Sequence, residues 1–373
     1  MPPSSQAGRF AAATTLWSPS PCVRWSERER GRRVRAVVYS QAGGPEVLRV
    51  VERPVPEPGP DEVRVAVQVS GVNPTDWKAR RRSGADAQLP FPEVVPNQDG
   101  AGTIDAVGDG VDPSRVGERV WLWEAAWQRA DGTAQEYVVL PERQAVRLPD
   151  SISFDVGATL GIPALTAHRC LTVSELEPHR VAPGGLSGQT VLIAGGAGAV
   201  GHAAIQLARW AGARVITTVS SDEKARLGRA AGADHVVNYR SSDAADQIRD
   251  FAPDGVGILV ELAPAANAAL DAAVLAANGA VAVYATDGGN ELGLAVGDLM
   301  SRNIRYQFVL VYTVPRAAKD QAVADVAAAV ADGALPVGAD AGLPLHRFAL
   351  EQTAEAHAAV EGGTVGKVLI DVG

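Results

Sequence analysis

Hydrophobic and polar positions follow two different patterns along the chain. From Val34 to about Leu148, short β-branched runs such as EVRVAVQVSGV and AGTIDAVG are separated by proline and glycine. Many short strands with such turns are typical of a barrel-like β domain. From about Phe154 onward, continuously apolar runs alternate with segments of helical spacing, which predicts a doubly wound parallel sheet whose strands are buried on both faces.

These patterns predict an α/β protein with more than one domain, since 373 residues exceed the usual size of a single core. We place a β domain at residues 34–155, a dinucleotide-binding domain at 156–312 and a returning C-terminal segment at 313–373. Residues 1–33 are rich in proline, serine and arginine and lack the apolar core of a secretory signal. We favour a disordered tail, which a misplaced start codon could produce, over a transit-like peptide.

The sequence VLIAGGAGAVGHAAIQLAR joins a strand-like run to a helix-like run through a glycine-rich turn. Gly196, Gly198 and Gly201 fill the pattern G-x-G-x-x-G in the β-α-β context that gives it meaning. In such loops the first glycine allows a tight turn, the second lets the backbone approach a pyrophosphate, and the third lets helix and strand pack closely. The helix start at Ala199 and Val200 offers N–H groups to phosphates. The stretch therefore predicts a Rossmann-type dinucleotide site.

The end of the next strand, RVITTV, indicates which dinucleotide binds. An NAD site usually places an acidic residue there for the ribose 2′-hydroxyl. Here the strand ends in Ser220 and Ser221, and Lys224 follows on the helix, which suits the 2′-phosphate of NADPH. Tyr239, after the third strand, is expected to cover the adenosine side. In the alternative interpretation Asp222 binds the ribose of NAD and Lys224 is a solvated surface charge.

The run GQTVLIAGGAGAVGHAAIQLAR resembles the signature of the quinone oxidoreductase/zeta-crystallin branch of the medium-chain dehydrogenase/reductase superfamily. It departs at Ala199, where the signature commonly has a second glycine. GVNPTDWKAR, PNQDGAGTIDAVGDGV and AEAHAAVEGGTVGKVLI also match, so the resemblance covers roughly residues 35–373. It implies a GroES-like β-barrel domain, a Rossmann domain that binds NADPH, and a C-terminal tail that returns to the first domain.

Zinc-dependent alcohol dehydrogenases of this superfamily hold a catalytic zinc with Cys, His and Cys. By the resemblance, those positions are Asn73, Gln98 and Ile162, which offer neither thiolate nor imidazole. We therefore expect no metal. Alcohol oxidation is hard without a Lewis acid, whereas quinones and conjugated C=C bonds accept hydride readily. The prediction is an NADPH-dependent, zinc-independent reductase of quinones or α,β-unsaturated carbonyl compounds.

Two alternatives remain open: an enoyl-thioester reductase of secondary metabolism, and a non-catalytic NADPH-binding protein of the crystallin type. The feature that favours the thioester substrate is a cluster of basic residues, Lys78, Arg80, Arg81 and Arg82.

Further site residues follow from the resemblance. Asn73 is expected near the nicotinamide, as a hydrogen-bonding group and the candidate catalytic residue, although it could equally cap the turn that follows it. Thr166 matches a family threonine near the nicotinamide ring. Backbone around Ala263 and Ala285, after the fourth and fifth parallel strands, is expected to touch ribose and nicotinamide. Asp99 corresponds to a family acid near the cleft and is expected to be structural.

The cleft between the domains is expected to hold the substrate. Tryptophans stand out because aromatic residues make up 5% of the chain, and their faces could sandwich a flat quinone or enone, although core packing is the alternative. The predicted pocket consists of Asn73, Trp77, Gln98 and Trp123, with Trp121 and Trp127 nearby in sequence. No tyrosine or histidine emerges as the general acid, and water is the expected proton source.

Charge and composition limit the partners and the compartment. The net charge of −9 argues against nucleic acid or an anionic membrane as the main partner. Two cysteines make a disulfide framework improbable and favour the cytoplasm. We expect a small-molecule substrate and a homodimer or homotetramer, in which IRYQFVLVYTV is an exposed edge strand that pairs with its copy.

Overall fold

The computed structural model describes residues 32–82, 88–174, 180–241 and 243–373. Residues 1–31, which make up nearly all of the expected tail, lie outside the described residues. The described chain forms two large sheets and one strand pair, which divide it into a first domain and a cofactor domain. None of its described helices combines the length and the apolar character that crossing a membrane requires.

The first domain contains a seven-stranded sheet and a separate antiparallel strand pair. The strands are β1 (Arg33–Val38), β2 (Arg49–Pro54), β3 (Glu62–Val72), β4 (Asp99–Val107), β5 (Arg119–Leu122), β6 (Tyr137–Pro141) and β7 (Ala145–Arg147), with β14 (Leu345–Ala349) and β15 (Lys367–Asp371) from the C-terminal end. The sheet order is β14-β15-β3-β4-β5-β7, and β6 pairs with the first half of β3. The long, valine-rich strand β3 is therefore central, and its second half pairs with β15.

The cofactor domain is a six-stranded, all-parallel sheet. Its strands are β8 (Thr190–Ala194), β9 (Arg214–Val219), β10 (His235–Asn238), β11 (Val256–Glu261), β12 (Leu275–Val283) and β13 (Arg305–Phe308). They lie in the order β10-β9-β8-β11-β12-β13, which is the doubly wound arrangement whose direction reverses between β8 and β11. All five residues of β8 are buried, as its apolar sequence predicts, and the predicted fold class is confirmed.

Helices cover both faces of the parallel sheet and connect it to the first domain. They are α1 (Pro74–Arg81), α2 (Phe154–Thr159), α3 (Leu165–Leu171), α4 (Ala199–Trp210), α5 (Asp222–Ala230), α6 (Ala244–Phe251), α7 (Pro264–Val274), α8 (Val296–Ser301), α9 (Arg316–Ala331) and α10 (Thr353–Glu361). A π-helical turn, Leu160–Ala164, contains a proline and links α2 to α3.

The C-terminal segment, which we expected to return to the first domain, divides between the two domains. Helix α9 packs on α3 and α4 of the cofactor domain. It also reaches the first domain through a buried ion pair, in which the Nζ of Lys319 lies 2.7 Å from the Oε1 of Glu124. Strands β14 and β15 then join the first sheet, and α10 packs beside β15. The segment thus ties the two domains together around the cleft between them.

Candidate active site

A cleft of about 570 Å³ lies between the two domains at the carboxyl ends of β8, β9 and β11. One wall is formed by the residues that follow these strands. The other wall comes from the end of β3, the start of α1 and residues 363–368, which lead into β15. Ligands of doubly wound sheets bind at this edge, where the strand order reverses. The cleft is therefore the candidate cofactor site.

The glycine loop lies at the carboxyl end of β8, and its glycines have different tasks. Gly195 has a φ of +71°, and its carbonyl oxygen accepts the Gly198 N–H at 3.0 Å, so Gly196, to which we assigned the tight turn, is a central residue of a turn that begins at Gly195. A Cβ on Gly196 would lie 2.1 Å from the Oγ1 of Thr217, and one on Gly201 would lie 2.4 Å from the carbonyl oxygen of Gly195. These two glycines are needed for packing.

The start of helix α4 is open toward the cleft. Gly198 and Ala199 line it, and a Cβ on Gly198 would meet a single atom, the carbonyl oxygen of Gly195, at 3.4 Å. The first N–H groups of a helix have no partner within the helix. This glycine-lined cradle fits the pyrophosphate of a dinucleotide. Gly196, Val200 and Gly201 do not line the cleft and support the loop from behind.

The residues after β9 separate into two groups. Ser220 and Lys224 line the cleft together with Tyr239. Ser221 does not line it, because its hydroxyl caps α5 by accepting the Lys224 N–H at 3.3 Å. Asp222 is exposed and lies outside the cleft lining. A positive side chain, and not an acidic one, therefore lines the cleft beyond the end of β9.

Asn73 lies at the floor of the cleft and its side-chain amide is held at both ends. Its Nδ2 donates to the Oδ2 of Asp99 at 2.7 Å, and its Oδ1 accepts from the Nζ of Lys367 at 2.7 Å. The Lys367 ammonium also lies 3.6 Å from Asp99. All three side chains are at most 2% exposed. Asn73 is thus in a fixed orientation at the cleft, as expected, and it also precedes α1, where its N–H is capped by Asp76.

Asp99 has the structural role that we expected. Its Oδ1 accepts the N–H of Ile162, which the π-helical turn presents at 2.8 Å. A Cβ on the adjacent Gly161 would lie 2.0 Å from the same oxygen, so glycine permits this approach. Burial raises the pKa of Asp99 and lowers the pKa of Lys367. Since both oxygens of Asp99 accept N–H groups, we assign it as the carboxylate of a buried ion pair with Lys367.

The three positions that correspond to zinc ligands in alcohol dehydrogenases have other tasks. The amide of Asn73 is bonded to Asp99 and Lys367. Gln98 accepts the N–H of Ala126 at 3.1 Å, and Ile162 offers an apolar side chain. In the part of the chain that the structure describes, no three His, Cys, Asp or Glu residues are grouped as metal ligands. This donor set, with an ammonium beside it, does not fit a zinc ion.

A second cavity of about 270 Å³, here called the α1 cavity, lies beside the first helix. Its lining includes Tyr39, Asp76, Gln98, Trp127 and Tyr312. The rings of Trp127 and Tyr312 stack with their centroids 4.4 Å apart, and the Tyr312 hydroxyl lies 3.1 Å from that of Thr75. Because Asn73 and Asp76 belong to the same turn, the α1 cavity and the cleft are neighbours.

Several predicted site residues lie elsewhere. Trp121 and Trp123 are at most 1% exposed in the main core, so Trp123 is not a pocket residue, because its ring is enclosed by core side chains. Trp77 is half-buried and lines neither cavity. Thr166, 5% exposed on α3, and Ala285 do not line the cleft, whereas Ala263 does. Of the predicted pocket residues, Gln98 lines the α1 cavity and Asn73 lines the cleft, and Trp127, one of the tryptophans singled out in the sequence, lies beside Gln98 in the α1 cavity.

Some cleft residues were missed by the sequence analysis. Lys367 and the loop 363–366 before it form part of the wall, as do Asn267 and Asp287. The only sequence signal for Lys367 and the loop 363–366 is the run GGTVGKVLI, where a lysine interrupts glycine and apolar residues. Nothing in the local pattern of Asn267 or Asp287 distinguishes them from surface residues.

Comparison with known proteins identifies the family. The GroES-like domain of alcohol dehydrogenases matches residues 59–150, and the family described as zinc-binding dehydrogenase matches residues 199–329. The chain is 30% identical to the human quinone oxidoreductase over 342 residues, which cover 90% of this chain and 97% of that protein. The chain belongs to the quinone oxidoreductase family. It is therefore an oxidoreductase of the medium-chain dehydrogenase/reductase superfamily, as the resemblance implied.

Solved structures related to this quinone oxidoreductase family member agree on the fold. An NAD-dependent alcohol dehydrogenase is 31% identical, with a TM-score of 0.77 over 91% of this chain and 100% of that chain. A mycobacterial protein in complex with NADPH is 29% identical, with a TM-score of 0.72 over 90% and 99%. The likeness indicates a nicotinamide cofactor for this chain. Because the two relatives are described with different cofactors, the choice between NAD and NADP depends on this chain's own residues.

Proposed function

We propose that this chain is an NADPH-dependent, zinc-independent reductase that transfers hydride to quinones or α,β-unsaturated carbonyl compounds. The observation that carries the proposal is the buried Asp99–Lys367 pair around Asn73, at the place where related dehydrogenases have metal ligands. Because these side chains and the Lys367 ammonium do not fit a zinc ion, the site offers no Lewis acid of the kind that assists alcohol oxidation. Acceptors that take hydride readily require mainly orientation against the cofactor.

The preference for NADPH is supported by the end of β9. Ser220 and Lys224 line the cleft, whereas Asp222, the alternative ligand for the ribose of NAD, is exposed outside it. A lysine and a hydroxyl suit the 2′-phosphate, which NADH lacks. Tyr239, which lines the same end of the cleft, is proposed to cover the adenine.

We place the acceptor in the α1 cavity. Its aromatic rings, Tyr39, Trp127 and Tyr312, suit a flat conjugated molecule. Asp76 in its lining accepts the N–H of Asn73, which lines the cleft, so we expect an acceptor in the cavity to have its reactive end near the nicotinamide. Small quinones and enones match a volume of about 270 Å³ better than a long thioester substrate does.

The thioester alternative relied on the basic cluster of α1. Arg80 is fully buried, donates to the carbonyl oxygen of Gly43 at 2.5 Å and pairs with Glu361. Arg81 pairs with the same carboxylate. These arginines therefore already have partners that connect α1 to α10, which leaves less positive charge for a carrier arm.

The test is NADPH oxidation with a panel of small quinones, enones and enoyl thioesters, with and without a chelator, and with NADH as the control. We expect turnover of quinones or enones with NADPH that the chelator does not change. Loss of activity with the chelator and recovery with zinc would contradict the proposal, as would faster turnover of thioesters. Binding of NADPH with no turnover of any acceptor would favour the non-catalytic alternative.

We also propose a homodimer formed through the edge of the cofactor domain, and a cytoplasmic location. Strand β13 is the last strand on its side of the sheet. Five of the eight exposed large hydrophobic side chains among the described residues lie at or near it in sequence: Leu294, Val296, Met300, Phe308 and Leu310. An unpaired edge with apolar neighbours favours pairing with a copy of itself. The buried thiol Cys170 suits a reducing compartment.

A further inference from the structure

Asp76 lies on the first turn of α1, between the cofactor cleft and the α1 cavity. Its carboxyl group is almost completely buried, with 3% of the residue exposed. The Oδ2 atom accepts the N–H of Asn73 at 2.7 Å, while the Oδ1 atom makes no hydrogen bond. Asp76 also lines the α1 cavity. One oxygen thus fixes the carboxyl group, and the other lacks a hydrogen bond of ordinary geometry.

A buried polar atom without a partner is rare and costs free energy. For a carboxylate the cost would be larger still, because burial disfavours the charged form. A carboxylic acid, protonated at Oδ1, reduces this cost. It also leaves an O–H donor on a residue that lines the cavity, and a bound acceptor is the candidate partner for it.

The surroundings of Asp76 favour the protonated form at neutral pH. Burial, with a further contribution from the Asp99 carboxylate, raises the pKa of Asp76 to about 8, while the Asn73 and Gln98 N–H groups and the Lys367 ammonium oppose this shift. The other titratable or charged groups that share the cavity with it are Tyr39, Arg82, Arg129 and Tyr312. Burial raises the pKa of both tyrosines, and Asp76 itself adds to this rise. They are therefore poorer acids than Asp76.

We propose that Asp76 is the proton donor of the reaction, acting on an acceptor held in the α1 cavity. The proposal rests on the proposed reductase function. It assigns a residue to the proton that the sequence analysis left to water.

The proposed step balances as follows. When bound in the cleft, NADPH would supply the hydride that forms a C–H bond at the β-carbon of an enone, and it would leave as NADP⁺. The O–H bond of Asp76 breaks, and its proton forms a C–H bond at the α-carbon of the acceptor, or an O–H bond on a quinone oxygen. The acceptor gains two electrons and two hydrogens in total. The Asp76 carboxylate then takes a proton from water before the next turnover.

The variant that tests this is Asp76→Asn. Asparagine is neutral and similar in shape, and its Oδ1 can accept the Asn73 N–H, so the start of α1 is preserved. It has no proton to give. We expect kcat to fall by about 100-fold or more, which is the usual contribution of a general acid. The Kd for NADPH and the melting temperature should change little.

The pH profile gives a second readout. In the native protein kcat should fall above about pH 8, by about tenfold per pH unit, as Asp76 loses its proton. The residual activity of Asp76→Asn should lack this fall. Asp271→Asn is the matched control, since burial and Glu261 raise the pKa of Asp271 to about 8 as well, while Asp271 lies on α7 and lines neither cavity. Its profile should be that of the native protein.

Infrared spectroscopy of the cofactor-free protein reports the proton directly. The carbonyl band of protonated carboxylic acids should decrease as the pH rises through 8, and Asp76→Asn should remove part of this change. A native profile without a fall above pH 8, or an Asp76→Asn variant with native kcat, would overturn the assignment. If the native protein turns over no acceptor, the proposed function fails. The infrared difference between the native protein and Asp76→Asn still decides whether Asp76 carries the proton. If the two proteins show the same infrared change with pH, the assignment is overturned by that result alone.

Discussion

The Nζ atom of Lys367 lies 2.7 Å from the Oδ1 atom of Asn73, although the two residues are 294 positions apart. Lys367 opens strand β15, and Asn73 directly follows β3, the strand that pairs with it. Because an ammonium polarises the amide that it donates to, the Nδ2 group of Asn73 becomes a stronger hydrogen-bond donor. The pairing of two strands thus places a positive charge directly behind a cofactor-site amide.

The ion pair between Asp99 and Lys367 should behave as a unit in stability measurements. Lys367→Met leaves the fully buried Asp99 without its cation, and we expect a loss of about 3–5 kcal/mol in the free energy of unfolding. The double variant Asp99→Asn with Lys367→Met removes both charges. It should regain most of the free energy of unfolding that Lys367→Met loses. Denaturant unfolding of the single and double variants measures the coupling. Simple addition of the two single losses would contradict a buried pair.

The glycine loop offers a test that separates packing from binding. Gly201→Ala would put a Cβ 2.4 Å from the carbonyl oxygen of Gly195, and we expect it to cost about 1–3 kcal/mol of stability. Gly198→Ala adds a methyl group at the cleft, where its Cβ would be in ordinary contact with the Gly195 carbonyl oxygen at 3.4 Å. Its stability should stay within about 1 kcal/mol of the native value, while its Kd for NADPH rises at least tenfold. Thermal unfolding and fluorescence titration measure the two quantities. Equal behaviour of both variants would contradict the separation.

Two neighbouring residues of α5 should differ in their effect on cofactor choice. Lys224 lines the cleft and Asp222 does not, so Lys224→Ala should raise the Kd for NADPH about tenfold or more and leave the Kd for NADH nearly unchanged. Asp222→Ala is the matched control and should change neither. Titration of each variant with both cofactors provides the measurement. A higher Kd for NADH in Asp222→Ala would instead support the NAD interpretation.

Features that depend on local sequence could be predicted, while those that depend on distant contacts could not. The alternation of apolar runs and helical segments predicted the parallel sheet, because strands buried on both faces must be apolar throughout. The same reasoning did not indicate that Gly195, which precedes the motif, takes the positive φ of this turn. The need for glycine at position 196 comes from the neighbouring strand, because a Cβ there would collide with the Oγ1 of Thr217.

Site residues show the same division. Lys224 and Ser220 follow a strand whose position in the motif is known, so their place in the cleft followed from the fold. Trp123 was wrong as a pocket residue, because an aromatic residue in a strand-like run can face the core or a cavity with equal ease. Lys367 could not be predicted at the cleft, since its place depends on the register of β15 against β3.

The edge of the cofactor domain should determine the oligomeric state. Phe308, at the end of edge strand β13, is 64% exposed, and Phe308→Lys would place a charge in the proposed interface. We expect light scattering to show a dimer for the native protein and a monomer for this variant. Val116→Lys, at an exposed position of the first domain, is the control and should stay dimeric. A monomeric native protein would contradict the proposal.

Two buried histidines should make the fold sensitive to acid. Burial lowers the pKa of His202 to about 4 and that of His357 to about 3, and each ring is paired with one oxygen, from Ala341 and Asn97 respectively. At low pH the folded protein binds fewer protons at these two rings than the unfolded chain does. The free energy of unfolding is therefore highest, as far as these rings contribute, above about pH 6.5. The free energy of unfolding then decreases as the pH falls toward 4, by about 1.4 kcal/mol per pH unit for each histidine.

Glutamine stays neutral at every pH, so His357→Gln should lower the slope of unfolding free energy against pH by about 1.4 kcal/mol per pH unit. The double variant with His202→Gln should lower the slope by twice that amount. Urea unfolding at several pH values measures the slopes, and native slopes in both variants would mean that neither ring takes up a proton on unfolding.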